Sequence, residues 1–394
     1  MKTKILGSII LGLLLFLKCV NKPNNNNDVK QINIDYRNLE KYIDASSILD
    51  LSKYEFINLK TNDSSLIGEI TKITLKNNKI IIYDALVKQV LLFNMDGSFY
   101  SKINAVGEGP KEYPPFINDC VVSNNLIGVL SPVIGKIKFY DYKGNFVRDM
   151  SMQGTWGMTY FTFDENEFYI QNDWSDSDKG CFHLFSIRDN KVKKYMPFTP
   201  APEVSRGWTL NNYNSLFNDH ALMIYSSIDT VFEFSNISKK VTPLYDINFI
   251  NKQLSKQILM GDGRYAIEMS IKQNKVSGIN YIAETIKHII LYTSDNKCLF
   301  FNKETKNVDF FTESLKIPSW GNFSFGLSSS FIQDDKIITY LEPSIILTVM
   351  KDWMEQTSFE NKEFEKKINS AFSKIEEETD NPIILITYLK KDEI

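Results

Sequence analysis

Residues 81–99, IIYDALVKQVLLFNMDGSF, are echoed at 128–146 by GVLSPVIGKIKFYDYKGNF. The offset is 47 residues without a gap, so that Val90 falls on Ile137, Phe93 on Tyr140, Gly97 on Gly144 and Phe99 on Phe146. Each copy holds short apolar runs separated by turn residues, the pattern of antiparallel strands. Repeats of roughly 40–50 residues built from several short strands point to radially arranged four-stranded sheets, because one such sheet cannot bury both faces alone.

The first repeat unit reads as strands at 69–75, 79–83, 89–94 and 98–104, and the second at 116–122, 126–130, 136–140 and 146–150. Gly97 and Gly144 take the same hairpin position, where a positive φ is cheap only without a Cβ. A third unit fits 158–197, a fourth 214–249 and a fifth 281–311, while 251–278 is less regular and reads as an excursion on one face. A sixth begins at 329–341 and then leaves the strand pattern. Ile345, Val349, Met350, Trp353 and Met354, and then Phe364, Ile368, Phe372 and Ile375, recur at helical spacing, so two helices are expected within 344–378. Strand character returns at 381–390, and KYEFINLK (53–60) is the candidate to complete that last sheet, which leaves no open edge at the seam. The expected fold is therefore all-β: a six-bladed β-propeller over 53–390, closed by pairing of N-terminal and C-terminal strands, with a helical insertion in its last blade.

The 394 residues are 43% hydrophobic and 13% aromatic, enough for a large core in one domain. The net charge is only −3 and the Lys residues are interspersed with Asp and Glu. No basic stripe is present, which argues against a nucleic-acid partner. Lys2 and Lys4 precede an apolar run from Ile5 to Leu17 and then Cys19. The run is too short to span a bilayer and has the length of a signal-peptide core. Residues 1–19 are thus expected to direct export. The segment that follows, 20–52, opens with NKPNNNND and reads as a tether and lead-in. Cys120, Cys181 and Cys298 are far apart and lack a CxxC spacing, so neither a disulfide framework nor a thiolate metal site is expected.

The N-terminus resembles a bacterial lipoprotein signal, in which the Cys closing the lipobox is lipidated. That resemblance implies an anchor on Cys19, although Lys18 stands where the pattern wants a small residue. GEGPKEY (107–113) is similar to a GxGPxEY element, SLIGEITKI (65–73) to the opening of a first blade, DTVF (229–232) to a DTIY element and DNPIILITYLK (380–390) to a C-terminal DNPxL strand. On these motifs the chain resembles the six-bladed β-propeller lipoproteins of Bacteroides-type bacteria, related in architecture to NHL-repeat propellers. The resemblance implies a fold and an envelope location, and no catalytic residue.

Candidate chemistry is sparse. GEGPKEY lacks the third glycine of a dinucleotide loop and the Lys-Ser/Thr of a phosphate loop. Its glycines and Pro110 suit a sharp turn that seats Tyr113, while Glu108 and Glu112 are candidates for a cation or a hydroxylated ligand at a channel rim. The acidic loop DWSDSDKG (173–180) could accept Ca²⁺, although it fails the EF-hand pattern. Arg206 with Trp208 and Arg264 with Tyr265 place a guanidinium beside an aromatic ring in expected loops, a pairing able to hold carboxylates or sugar rings. His183, His220 and His288 show no spacing of metal ligands, and a GxSxG elbow is absent. The expectation is a non-catalytic propeller that binds a small ligand, glycan, peptide or protein in the cell envelope, anchored by lipid and without a resident cofactor. The competing expectations are a lyase or glycan hydrolase working in the channel and a scaffold subunit docking through the 344–378 helices.

Overall fold

The structure, a computed structural model, describes residues 29–390 apart from 118, 132–133, 152–158, 163–166, 172–181, 187–190, 196–213, 226–227 and 260–262. The described residues from Gln31 onward belong to one compact unit. The chain is mainly β, as its sequence leads one to expect, and its strands fall into separate sheets.

Sheet 1 comprises Lys72–Lys76, Lys79–Asp84, Gln89–Asn94 and Phe99–Ile103, hydrogen-bonded in that order. Sheet 2 repeats the meander with Cys120–Val122, Leu126–Ser131, Lys136–Asp141 and Phe146–Ser151, and sheet 3 with Thr159–Thr162, Glu167–Gln171, Phe182–Ser186 and Lys191–Tyr195. Sheet 4 contains Asn214–Phe217, His220–Tyr225, Ile228–Ser235 and Lys240–Ile250, and sheet 5 contains Ile279–Glu284, His288–Thr293, Cys298–Asn302 and Val308–Thr312. Sheet 6 joins Ser330–Gln333, Lys336–Leu341 and Ile383–Leu389 to Leu49–Asn58, with Ile384 opposite Ile57 and Thr387 opposite Tyr54. The N-terminal strand thus completes the sheet that the C-terminal strand leaves unfinished.

Each sheet meets its neighbours through a named contact. Lys72 of sheet 1 pairs with Asp119 beside sheet 2 at 3.0 Å, and the Phe139 and Phe168 rings of sheets 2 and 3 lie 5.0 Å apart. Lys239 of sheet 4 reaches Glu167 of sheet 3 at 2.6 Å, and His220 of sheet 4 reaches Glu284 of sheet 5 at 2.8 Å. The Ile332 amide of sheet 6 donates to Tyr281 of sheet 5 at 2.8 Å, and Gln333 of sheet 6 bonds both backbone groups of Leu75 in sheet 1. This succession explains why the strands are apolar on both faces. Ile80, Ile82, Leu91 and Phe93 face Ile338, Ile384 and Ile386 of sheet 6, whereas Ile81, Tyr83, Val90 and Leu92 face Ile127, Val129 and Tyr140 of sheet 2. Burial of each such side chain is worth about 1.5–3 kcal/mol.

Three departures from the sequence reading have local causes. The lead-in is structured: Lys30–Asp35 adds a fifth strand beside Lys240–Ile250, because Ile32 and Ile34 alternate with polar residues and bury one face on sheet 4. Ile43–Asp44 joins Leu315–Ile317 and Phe323–Phe325 in a small extra sheet. The irregular stretch 251–278 holds two helices, Lys256–Leu259 and Gly263–Gln273.

Between Lys336–Leu341 and Ile383–Leu389, helical turns run from Pro343–Ile345 through Ile346–Met350 to Lys351–Gln356, and a further helix spans Lys362–Phe372. Asn361 caps the last one, its Oδ1 accepting the Phe364 amide hydrogen bond at 2.9 Å. Such a cap is worth about 1 kcal/mol. Phe364, Ile368 and Phe372 share the buried face, and Phe364 stacks on the fully buried Trp320 with ring centroids 4.1 Å apart.

Candidate functional site

The GEGPKEY segment folds into a tight turn after sheet 1. The Gly107 amide donates to the Tyr113 carbonyl and the Tyr113 amide to the Ala105 carbonyl, so the segment closes on itself. Tyr113 is fully buried, with its ring edge-on to Tyr140 at 6.1 Å and its hydroxyl donating to the Lys88 carbonyl at 2.9 Å. Burial pushes that hydroxyl's pKa up to about 12. Glu112 turns back to accept the Gly109 amide at 2.8 Å. A Cβ on Gly107 would lie 2.0 Å from the same carboxylate, which would then have to turn away. Glu112 is therefore engaged in the turn, while Glu108 is exposed beside it.

Two further sequence motifs converge next to this turn. Asn381 is buried; its Oδ1 accepts the Ile67 amide at 3.0 Å and its Nδ2 donates to the Ser65 carbonyl at 2.7 Å. The SLIGE and DNP elements are thereby tied together across the seam. The buried Asp84 carboxylate then accepts the Gly68, Leu86 and Val87 amides, and Gln89 donates to the Leu66 carbonyl. Polar groups of these loops hold the loops, and apolar side chains are left facing out. Leu66, Leu86, Val87, Val106, Phe116 and Ile134 are between 38% and 65% exposed.

The six stand on loops at one end of sheets 1 and 2. Leu86 and Val87 lie over Gly68, within 3.2 Å and 2.7 Å of where its Cβ would be. Lys88, next along, receives the Tyr113 hydroxyl, and Tyr113 bridges Val106. The Phe116 carbonyl accepts from Ser131, at the end of the strand that leads into the Ile134 turn.

A second constellation lies between sheets 4 and 5. The buried Glu284 accepts from Lys303 Nζ through Oε1 at 2.9 Å, and its Oε2 lies 2.8 Å from His220 Nε2; the Glu284 amide donates to Ser215 Oγ at 2.8 Å. Lys303 also sits 4.4 Å over the Phe217 ring. The Glu284 hydrogen bond holds the His220 pKa above its usual 6.5, against the effect of burial. Alongside, His288 Nε2 lies 2.9 Å from Asp309 Oδ2, which also accepts from Asn302. Every one of these groups has a protein partner, so the arrangement acts as a bolt between sheets. Asp309 also borders a pocket of about 180 Å³ lined as well by Glu40 and by Asp35, the latter held by Arg37.

The sequence matches the Domain of unknown function DUF4934 over residues 29–388. The chain belongs to that family. Among solved structures, a Bacteroides fragilis protein described as exported is 16% identical, with a TM-score of 0.69 over 92% of this chain and 100% of that one. A member of the DUF4221 family from Bacteroides vulgatus is 10% identical, with a TM-score of 0.52 over 86% of this chain and 96% of that one. At these identities the likeness speaks to fold alone. No curated protein matches.

Measured against this family member's geometry, the residues picked out by sequence scatter. Glu108 and Glu112 lie together at the loop end just described. Arg264 and Tyr265 are not in a loop; they begin the helix Gly263–Gln273, because Ala266 and Ser270, one turn apart, bury its inner face. Tyr265 is half exposed there, with no described contact to Glu108 or Glu112. Arg206, Trp208, the acidic loop 173–180 and Cys19 lie outside the described residues. Among the described residues no group of His, Cys, Asp and Glu is placed to hold a metal ion, and no helix is long and apolar enough to cross a membrane. The exposed apolar loops and the Glu284 bolt escaped the sequence reading. For Leu86 and Val87 a signal existed, since they are large apolar residues between two strands read from the sequence, whereas Phe116 was read as the start of a strand that begins only at Cys120.

Proposed function

We propose that this chain is a six-bladed β-propeller of the bacterial cell envelope, lipid-anchored through Cys19, that binds a protein or other ligand without transforming it. The 47-residue period, the succession of six sheets linked neighbour to neighbour and the N-to-C strand seam support the propeller. The charged start, the apolar run Ile5 to Leu17 and Cys19 support export and anchoring, and the relative in fold described as exported agrees with export. Residues 20–28 then serve as the tether, since Lys30–Asp35, Ile43–Asp44 and Leu49–Asn58 already pair within the sheets of the binding domain.

The observation that carries the binding role is the loop end of sheets 1 and 2. Six large apolar side chains stand partly in water on loops pinned by Asp84, Asn381 and Tyr113. Exposed apolar side chains gathered on one set of loops are a feature of contact sites. A photo-reactive residue placed at Val87 tests it in living cells. An adduct formed from Val87 and not from Ile271, on the helix Gly263–Gln273, is the expected result; equal yields, or none from Val87, overturn the binding face. Palmitate labelling that is lost in Cys19→Ala supports the anchor, and labelling that persists removes it.

A further inference from the structure

We infer that the helix Gly263–Gln273 rests on the anionic surface of the bilayer that anchors the chain. The inference goes beyond the proposed binding face and rests on the proposed Cys19 anchor. After the strand Lys240–Ile250 the chain enters two helices, Lys256–Leu259 and Gly263–Gln273. Ala266 and Ser270, one turn apart, are buried, and a bridge between Gln253 and Val276 closes the stretch on itself. Ile267 and Ile271 are also one turn apart and so share a side of the helix. They are left 40% and 78% exposed, and Tyr265 of the same helix is half exposed.

Charge and tether length together name the surface that covers them. Residues 251–278 carry five basic side chains, Lys252, Lys256, Arg264, Lys272 and Lys275, against Asp262 and Glu268, in a chain whose net charge is −3. Lys272 is exposed, while Lys252 and Lys275 are part-exposed and donate to the Asn274 and Asn251 carbonyls. Isoleucines and a tyrosine flanked by lysines suit the boundary of an anionic bilayer, where apolar side chains reach the acyl region and ammonium groups meet the phosphates. The anchor is close enough to bring them there. Asn248 donates to Asn33 Oδ1 at 2.8 Å and Lys252 Nζ lies 5.6 Å over the Tyr36 ring, so the N-terminal strand runs beside the one that leads into the helices. Nine residues, 20–28, span at most about 30 Å, and a six-residue strand about 20 Å. A lipid on Cys19 thus keeps the helix within reach of the bilayer. The acyl group supplies the hold and the helix sets the orientation.

The test uses the full acylated chain on vesicles, with an environment-sensitive fluorescent amino acid at position 271 or, as control, at 237. Ile237 is 79% exposed in the hairpin before Lys240–Ile250, at the far end of that strand from the helix. On vesicles of phosphatidylethanolamine and phosphatidylglycerol with brominated acyl chains, the probe at 271 is expected to lose at least half of its fluorescence and the probe at 237 almost none. Lys272→Glu, or a change to vesicles of phosphatidylcholine alone, should at least halve that quenching. Melting curves establish that the variant is folded. Quenching no stronger at 271 than at 237, or indifferent to both changes, overturns the inference. So does self-association in sedimentation that Ile271→Ser abolishes, because a second copy would then cover the helix. A chain that floats with vesicles while the probe at 271 stays unquenched sinks the helix contact and spares the anchor; a chain that carries no acyl label and does not float sinks both.

Discussion

The carbonyl oxygen of Asn58 lies 2.0 Å from where a Cβ on Gly97 would stand, so the first repeat's hairpin is pressed against the strand that closes sheet 6. Gly144, its counterpart, meets the Lys102 carbonyl of sheet 1 in the same way, at 2.4 Å, and both glycines have φ of +82°. Backbone conformation and close approach together exclude a side chain. Gly97→Ala and Gly144→Ala should each lower the unfolding free energy by about 2–3 kcal/mol. Gly135→Ala is the control, since φ is +59° there with nothing within 4 Å, and its loss should stay near 1 kcal/mol. Denaturant titration of the three variants checks the order.

Asn381 answers for four groups at once. It accepts from the Ile67 amide and donates to the Ser65 and Lys60 carbonyls, while its own amide donates to Thr61 Oγ1. Asn381→Ala leaves a donor and two acceptors without their partner in a buried setting, each worth about 1–3 kcal/mol. A destabilisation of about 3 kcal/mol is expected by urea unfolding. Asn381→Asp should be no better, because a carboxylate cannot donate to the two carbonyls.

What could be read from the chain without a structure was what repeats or abuts in a pattern. Gly97 and Gly144 announced their hairpins, and Ile383–Leu389 announced a strand needing a partner, found in Leu49–Asn58. Lys72 and Asp119 are also 47 positions apart, yet their pairing depends on one sheet facing the next, which no spacing encodes. The same holds for His220 and Glu284, brought together from different sheets 64 residues apart. At Arg264 local chemistry misled: GDGRY has the residues of a turn, and only the inward Ala266 and Ser270 reveal the helix.

Cys120 and Cys298 are free and buried. Burial pushes the Cys120 thiol up to about 12, against the pull of Lys72, and raises that of Cys298 as well. The nucleophile is the thiolate, so both should resist a thiol reagent at pH 8 while the chain is folded. Reaction of these two thiols with Ellman's reagent is expected only in denaturant. Prompt labelling of Cys120 or Cys298 in the native state, located by peptide mapping, contradicts the packing described for sheets 1, 2 and 5.

His220 should make the seam between sheets 4 and 5 sensitive to alkali. Its Nε2 lies 2.8 Å from Glu284 Oε2, Asp219 Oδ1 is 3.6 Å from its Nδ1, and Glu233 adds a further negative charge; Lys303 opposes them from the far side of Glu284. The Glu284 hydrogen bond is the largest influence and outweighs burial, so the folded pKa stands above the 6.5 of the unfolded chain. A raised pKa means that the folded state binds the extra proton more tightly. The resulting stabilisation is complete below pH 6.5 and is lost as the pH rises through the folded value. His220→Gln keeps a hydrogen bond and removes the charge, and should flatten the stability profile across that window. The imidazole is one-fifth exposed, so added salt should shrink the effect. Unfolding free energies from pH 6 to 9, with the His220 ring signals followed by NMR, provide the check; a ring that titrates at or below 6.5 rules the bolt out.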